Sequence, residues 1–216
     1  MSSTEETSKN NREENNYYSL SLIQKFYNLT GNIFWHIIDR IAFRVNKIAE
    51  LYEKSVGGSY KREIKEFNLY DSKNILHIGC GSYPITAIIL AEIDNAKIVT
   101  IDTNKKSLRL AKEVIKRKKL EDRIKMEYGD GSNFPLDNFD TIIISGCSVP
   151  KIRVWNYILN NAKPDTRVII RDSFFDAESI IGLTNTENTI ELVKKMHNNP
   201  YLNTHWESYY LVKKSF

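Results

Sequence analysis

After Asp71, short runs of β-branched residues alternate with longer segments of helical periodicity. This alternation is the strongest constraint on the fold, because strands that alternate with helices form a parallel sheet covered by helices on both faces. The runs predicted as strands are Asn74–Ile78, Lys97–Ile101, Arg123–Tyr128, Asp140–Ser145, Thr166–Arg171 and, as an edge strand, Ser208–Lys213. Helices are predicted between them at about 85–93, 104–119 and 150–162. The pattern therefore predicts an α/β protein with a doubly wound, mostly parallel sheet.

A region of different character precedes the α/β segment. Residues 1–16 contain no large apolar residue except Met1 and are predicted to be a disordered tail. From residue 17 onward, apolar residues recur every three or four positions, which predicts a helical extension over 17–69. We therefore divide the chain into a tail, a helical extension and an α/β domain over 70–216.

Glycines set the predicted boundaries within the extension. Gly31 is expected to interrupt the helical pattern, and Gly57–Gly58 to end the long helix that follows. Ser59 is expected to cap a further short helix. The apolar stripe of the long helix needs a surface to pack against; its members are Ile33, Ile37, Ile41, Val45, Ile48 and Tyr52.

Composition excludes several classes of protein. No apolar run reaches the ~20 residues of a transmembrane helix, and the N-terminus lacks a secretory pattern, so we expect a cytoplasmic protein without a membrane partner. Cys80 and Cys147 are too few for a disulfide framework or a structural zinc site, and no metal is expected. The net charge of +4 is mildly basic, and the basic residues of 105–119 share a helix with an apolar stripe. Such a solvated face does not predict a nucleic-acid partner.

A glycine-rich turn stands where the first predicted strand ends. It reads His77-Ile-Gly79-Cys-Gly81 and runs into an apolar helix. Glycine permits a tight turn and a close approach of ligand to backbone, and ligands of open α/β sheets bind at the carboxyl ends of the strands. Pro84 stands where a dinucleotide-binding turn usually has its third glycine, which disfavours NAD.

Two acids follow the next predicted strands. Asp102 closes the strand that begins at Lys97, at the distance from the glycine turn where a carboxylate binds ribose hydroxyls. Asp130, within Gly129-Asp130-Gly131, follows the strand after that and could accept a bond from an adenine amino group. Because the carboxyl ends of parallel strands meet at one edge of a sheet, these groups predict a single adenosyl-binding crevice.

Residues 74–173 resemble the class I S-adenosylmethionine (SAM)-dependent methyltransferase superfamily. The resemblance lies in four segments, ILHIGCG, VTIDTN, GDG and FDTIIIS. The resemblance implies a Rossmann-like domain that uses SAM. It also implies that Gly79 and Gly81 hold the methionine end of SAM, Asp102 the ribose and Asp130 the adenine. Neighbouring residues that we also expect to contact the cofactor are Cys80, Ser82, Thr103, Gly131 and Ser145.

His77 departs from the superfamily pattern, in which an acid usually stands two residues before the first glycine and helps to bind the methionine amino group. The segment GSYPITAIILA, residues 81–91, resembles a stretch of nicotianamine synthases, which also lack this acid. Residues 149–155 and 164–171 resemble later segments of archaeal members. These relatives imply a second chemistry on the same fold, the transfer of the aminocarboxypropyl arm of SAM.

The resemblance to nicotianamine synthases is incomplete at the catalytic residues. Their catalytic glutamate would fall near Trp35 or His36, where this chain has no acid. Their active-site tyrosine is matched by Tyr60, which we predict as the catalytic residue. Aminocarboxypropyl transfer needs a deprotonated acceptor amine, whereas methyl transfer needs little beyond positioning, so methyl transfer is favoured.

We therefore expect a SAM-dependent transferase, a methyltransferase that acts on a small molecule, and leave a homodimer open. The enzymatic alternative is aminocarboxypropyl transfer with release of methylthioadenosine. A non-catalytic SAM-binding protein is a third hypothesis, because both the turn acid and the glutamate are missing. RNA methylation is a fourth, which depends on the basic helix alone.

Overall fold

The computed structural model describes residues 22–148, 150–172, 177, 181–182, 189–200 and 205–214, with the backbone alone for 22–32. The predicted disordered tail, residues 1–16, lies outside this part of the chain. None of the helices in the described residues is long and apolar enough to cross a membrane.

One sheet of seven strands organises the molecule. Its strands are β1 (Asn74–Ile78), β2 (Lys97–Asp102), β3 (Ile124–Tyr128), β4 (Thr141–Ile144), β5 (Arg167–Asp172), β6 (Ile190–Asn198) and β7 (Trp206–Lys213). They lie in the order β3-β2-β1-β4-β5-β7-β6, with β1 to β5 parallel and β7 antiparallel to both of its neighbours. The predicted doubly wound, mostly parallel sheet is confirmed. The strand order reverses between β1 and β4, where such sheets bind their ligands.

Within the described residues, six α-helices with defined bounds surround this sheet or extend from it. They are α1 (Leu22–Arg44), α2 (Asn46–Tyr52), α3 (Gly58–Glu66), α4 (Ile85–Leu90), α5 (Lys105–Arg117) and α6 (Lys151–Asn161). A π-helical turn, Glu53–Gly57, joins α2 to α3, and a 3₁₀ turn, Leu69–Asp71, precedes β1. The start of α5 is fixed by Asn104, whose side-chain oxygen accepts bonds from the amides of Lys106 and Ser107.

The helix boundaries predicted within the extension are wrong. Gly31 lies inside α1, and the chain breaks instead at Val45, which has extended dihedral angles. The glycines at 57 and 58 do not end a helix, because both have right-handed helical dihedral angles. A β-carbon at Gly57 would come 3.2 Å from Ile89, so this glycine allows the π turn to approach α4 closely. Ser59 caps nothing, because α3 continues directly from the π turn.

The predicted buried stripe of the long helix is also partly wrong. The first four members, Ile33, Ile37, Ile41 and Val45, are 40 to 50% exposed, and only Tyr52 at its end is buried. The opposite face packs towards the core; it carries Trp35, Ile38, Asp39 and Ala42. Because α1 is apolar on two faces, periodicity could not decide which face is covered.

The antiparallel end of the sheet differs from the prediction as well. Ser208–Lys213 was expected at the edge, but it lies within β7, an inner strand between β5 and β6. The edge strand is β6, which was not predicted. Its sequence IELVKKMHN is mostly exposed and carries three charged residues, as is common in edge strands, and it lacks the apolar alternation of a half-buried strand.

A buried ion pair joins the extension to the sheet. Glu63 of α3 accepts bonds from the guanidinium of Arg171 in β5, with Nη2···Oε1 at 2.8 Å and Nε···Oε1 at 3.1 Å. Both side chains are almost completely buried. Ser208 donates to the second carboxylate oxygen at 2.6 Å, and Arg171 Nη1 donates to Thr86 at 2.6 Å. Every charge in this cluster thus has a partner, as a buried pair requires.

Replacing Glu63 with Gln is expected to lower the free energy of unfolding by about 3–5 kcal/mol, because the buried Arg171 charge loses its counter-charge. Urea unfolding measures the effect. The matched control is Glu66→Gln, one turn later in α3, which removes an exposed ion pair with Lys194 and should change the stability little. Equal effects of the two variants would contradict the role assigned to the Glu63–Arg171 pair.

Candidate functional site

A cavity of about 320 Å³ opens at the carboxyl ends of β1, β2 and β4. Its size is typical of small-molecule sites, and it lies where the strand order reverses. One wall comes from the glycine turn and the loops after β2, β3 and β4. Further lining residues come from the extension and from β7; they are Trp35, Asp39, Tyr60 and Trp206. The helical extension is therefore part of the cavity.

The glycine turn after β1 has a backbone that only glycine adopts without strain. Gly79 has φ +87° and Gly81 has φ +66°. A β-carbon on Gly79 would lie 2.5 Å from the Ser148 hydroxyl oxygen, and one on Gly81 would lie 2.2 Å from a carboxylate oxygen of Asp39. The two glycines thus bring bare backbone to the cavity wall.

Asp102 holds this turn from the side of β2. Its Oδ2 accepts a bond from the amide of Gly81 at 2.9 Å, and its Oδ1 accepts one from the amide of Asn104 at 2.7 Å. Asp102 and its neighbour Thr103 both line the cavity. The carboxylate is therefore fixed in place at the strand end where a ribose is expected.

The predicted cofactor residues meet at this cavity with one exception. Those that line it are Gly79, Cys80, Gly81, Asp102, Thr103, Asp130, Gly131 and Ser145. Ser82 does not; it is buried behind the turn, where its hydroxyl donates to Ser107 at 3.3 Å. Asp130 is oriented by Ser132, whose amide and hydroxyl both donate to its Oδ1.

His77, which replaces the usual acid, connects three strands. Its Nδ1 lies 2.9 Å from the hydroxyl of Thr100 in β2, and its Nε2 lies 2.8 Å from the hydroxyl of Ser145 after β4. Burial lowers the pKa of His77 to about 3, with a further contribution from Arg171. The imidazole is therefore neutral at physiological pH and fixes neighbouring strands instead of supplying a charge.

Tyr60, predicted as the catalytic residue, lies in the cavity wall. Its ring packs against the guanidinium of Arg171, 3.6 Å from ring centroid to guanidinium carbon, and edge-on to Trp206 at 5.5 Å. Burial raises the pKa of Tyr60, and the nearby Arg171 only partly opposes this effect. The phenol is thus a hydrogen-bonding group at neutral pH, not a phenolate base.

Asp39 of α1 is a cavity residue that the sequence analysis missed. Its Oδ2 accepts a bond from the amide of Ser82 at 3.0 Å, and its Oδ1 accepts one from the Tyr52 hydroxyl at 3.3 Å. Burial raises the pKa of Asp39 to about 7, against the lowering effect of these bonds. The available signal was that Asp39 is the one acid among the residues of α1. Its position three residues beyond His36 became meaningful only once the buried face of α1 was known.

Both cysteines are unreactive at neutral pH. Burial raises the pKa of Cys147 to about 12 and that of Cys80 well above its usual value. Both line the cavity as neutral thiols. No cluster of metal-ligating side chains occurs among the described residues.

SAM fits the side chains and backbone of this cavity. Gly79 and Gly81 line the cavity with backbone, and the acids at the ends of β2 and β3 can accept bonds from a ribose and an adenine. Three carboxylates, those of Asp39, Asp102 and Asp130, line the cavity, and its one lining arginine, Arg171, is paired with Glu63. The cavity therefore suits a cation such as a sulfonium or an ammonium better than it suits a phosphate.

Comparison with known proteins agrees with this fit. A family model described as "Methyltransferase domain" matches residues 69–213. A probable cobalt-precorrin-6B C(15)-methyltransferase (decarboxylating) of Methanobrevibacter smithii is 24% identical over 152 residues, which cover 67% of this chain and 76% of that protein.

Similar solved structures have the same fold at low sequence identity. A variant of the nicotianamine synthase MtNAS, in complex with S-adenosylmethionine, matches with a TM-score of 0.68 at 20% identity, over 91% of this chain and 78% of that one. A SAM-dependent methyltransferase of Aquifex aeolicus matches with a TM-score of 0.58 at 16% identity, over 71% of this chain and 89% of that one. The MtNAS match extends over the helical extension as well as the sheet domain.

Gly81→Ala is expected to weaken SAM binding at least tenfold, because the new methyl group would meet the Asp39 carboxylate and the positive φ would be strained. Isothermal titration calorimetry measures the affinity, and circular dichroism verifies that the variant is folded. Gly58→Ala is the control, since a β-carbon there has no heavy atom within 4 Å in the described chain and the backbone is helical. A folded Gly81→Ala variant with unchanged affinity would contradict the placement of the cofactor.

Asp39→Asn is expected to raise the free energy of unfolding of the ligand-free protein at pH 8, and to raise it by a smaller amount at pH 5. The pKa of Asp39 is higher in the folded chain than in the unfolded chain, so its ionisation opposes folding increasingly as the pH rises from about 4 to about 7. At about 1.4 kcal/mol per tenfold change in acidity, the gain at pH 8 is at most about 4 kcal/mol. Urea unfolding at the two pH values tests this. A variant less stable than the wild type at pH 8 would contradict the prediction, because the charge of the Asp39 carboxylate would then already be stabilised by its surroundings.

Proposed function

Since the chain belongs to the methyltransferase-domain family and is a SAM-dependent transferase, we propose that it transfers the methyl group of SAM to a small molecule. One observation carries the proposal, the convergence of the ends of β1, β2 and β3 on a single cavity. There the glycine turn, Asp102 and Asp130 are arranged as an adenosyl group requires.

The walls of the cavity support a small acceptor. Three aromatic side chains line the cavity, Trp35 of α1, Tyr60 of α3 and Trp206 of β7. With a volume of about 320 Å³ the cavity is at the lower end of the range for small-molecule sites. Aromatic rings give such an acceptor apolar contact area at low entropic cost. We propose that the extension selects the acceptor, because two of these three rings belong to it.

The transfer needs an acceptor atom aligned with the reacting carbon. SAM supplies a sulfonium whose methyl carbon is open to in-line attack by a nucleophile. Tyr60 is the residue that we propose to orient the acceptor, through a hydroxyl kept protonated by burial. Arg171 holds the Tyr60 ring from one face, and Trp206 holds it from an edge. These two contacts restrict the direction in which the hydroxyl points.

Other properties of the protein follow as proposals of the same kind. We propose a cytoplasmic location, which two free cysteines support, since thiols stay reduced in that compartment. A nucleic-acid acceptor is not proposed, because the basic side chains of α5 lie on a helix whose other face is buried, outside the cavity.

Aminocarboxypropyl transfer is the second candidate, and one observation favours it. Near Trp35 and His36 the sequence has no acid, yet Asp39, one helical turn further along α1, carries a carboxylate into the same cavity. With a pKa of about 7 this carboxylate could accept a proton from an acceptor amine. The fold that the chain shares with MtNAS includes the helix from which this acid comes.

The products of SAM distinguish the candidates. We expect S-adenosylhomocysteine, detected by mass spectrometry after incubation with SAM and a metabolite extract, together with an acceptor that is heavier by one methylene unit. Methylthioadenosine in its place would establish aminocarboxypropyl transfer and overturn methyl transfer. Bound SAM that is never consumed would identify a non-catalytic binding protein. A heat-denatured sample is the control for spontaneous decay of SAM.

A further inference from the structure

Asp39 is a buried acid whose charge has no opposite charge beside it. The side chain is 8% exposed, and its hydrogen bonds come from neutral donors, the amide of Ser82 and the hydroxyl of Tyr52. None of the ion pairs found within the described ranges includes it. Buried carboxylates are costly unless a cation compensates them. A cation that arrives with a ligand would provide that compensation.

The position of Asp39 identifies which end of the cofactor it faces. Its carboxylate lies against the backbone of Gly81 and Ser82, one residue further along the turn than the amide that Asp102 binds. Asp102 holds the same turn through the amide of Gly81, at the strand end expected to bind the ribose. The portion of SAM that continues past the ribose along the turn is the methionyl group, which carries an ammonium.

His77, which stands in β1 where the acid is usually found, cannot bind that ammonium. Both ring nitrogens of His77 are occupied by the hydroxyls of Thr100 and Ser145, and the ring is neutral. A neutral imidazole with both nitrogens engaged offers no charge to a cationic ligand. Since Asp102 and Asp130 lie where the ribose and the adenine are expected, Asp39 is the remaining carboxylate of the three that line the cavity, and it is the one available to replace the missing acid.

We propose that Asp39, supplied by the helical extension, binds the α-ammonium group of SAM in place of the acid that β1 lacks. The inference rests on the proposed SAM-dependent function and assigns the extension a direct part in cofactor binding. The bond is a charge-assisted hydrogen bond from ammonium to carboxylate, and it supplies the counter-charge that Asp39 lacks in the ligand-free protein.

Three ligands distinguish the contribution of the ammonium to binding from that of the rest of the cofactor. SAM carries both the ammonium and the sulfonium, S-adenosylhomocysteine keeps the ammonium but has a neutral sulfur, and methylthioadenosine has neither. Calorimetric dissociation constants of the three ligands are measured for the wild type, for Asp39→Asn and for Glu50→Gln. Glu50 is an exposed acid on α2, outside the cavity, and serves as the matched control.

Asp39→Asn is expected to weaken SAM and S-adenosylhomocysteine equally, by about 10- to 100-fold, as for the loss of a charge-assisted bond. Its affinity for methylthioadenosine should stay within twofold of the wild type, and Glu50→Gln should leave all three affinities unchanged. An equal loss for all three ligands would overturn the proposal in favour of a structural role for Asp39. A loss of affinity confined to SAM would overturn the proposal, because it would show that Asp39 interacts with the sulfonium instead of the ammonium.

Unchanged binding of all three ligands by Asp39→Asn would also overturn the proposal, and a simultaneous loss of turnover would then identify Asp39 as a base. Failure of the proposed function gives a different result, because the wild type itself would bind neither SAM nor S-adenosylhomocysteine. Substitution with Asn keeps the size of the side chain and its acceptor oxygen, so the bond from Ser82 survives in the variant.

Discussion

The turn that leaves β1 depends on two carboxylates that accept hydrogen bonds from its successive amides. Asp102 accepts a bond from the amide of Gly81, and Asp39 accepts one from the amide of Ser82. Because Gly81 has a positive φ and no side chain, both acids can approach the backbone closely. One acid comes from the sheet and the other from the extension, so the shape of the cofactor site depends on how these two parts pack.

That packing is held by a polar cluster within an apolar interface. Glu63 and Arg171 pair between α3 and β5, and the core next to them contains Tyr52, Val56 and Phe67 of the extension. The same Arg171 supports the ring of Tyr60. One ion pair thus fixes the extension on the sheet and sets the position of the proposed acceptor-binding residue. A substitution that disrupts this pair should therefore lower both the stability of the protein and its affinity for substrate.

The sheet and the glycine turn could be predicted from sequence because their signals are local. The strand at Asn74–Ile78 was predicted with its observed bounds, and strand-to-helix alternation is sufficient for a doubly wound sheet. The buried face of α1 and the contribution of Asp39 could not be predicted, since they depend on which of two apolar faces meets the sheet. The edge strand β6 was missed because its exposed, charged sequence resembles a loop. Long-range packing, not local preference, decides these features.

The most direct test of the account is a crystal structure of the protein with bound SAM. The account predicts the ribose hydroxyls at the Asp102 carboxylate, the adenine beside Asp130 and the methionyl ammonium within hydrogen-bond distance of Asp39. A cofactor bound at this edge of the sheet with its ammonium away from Asp39 would contradict the role of the extension. A cofactor bound elsewhere, or with its ribose away from Asp102, would contradict the site itself.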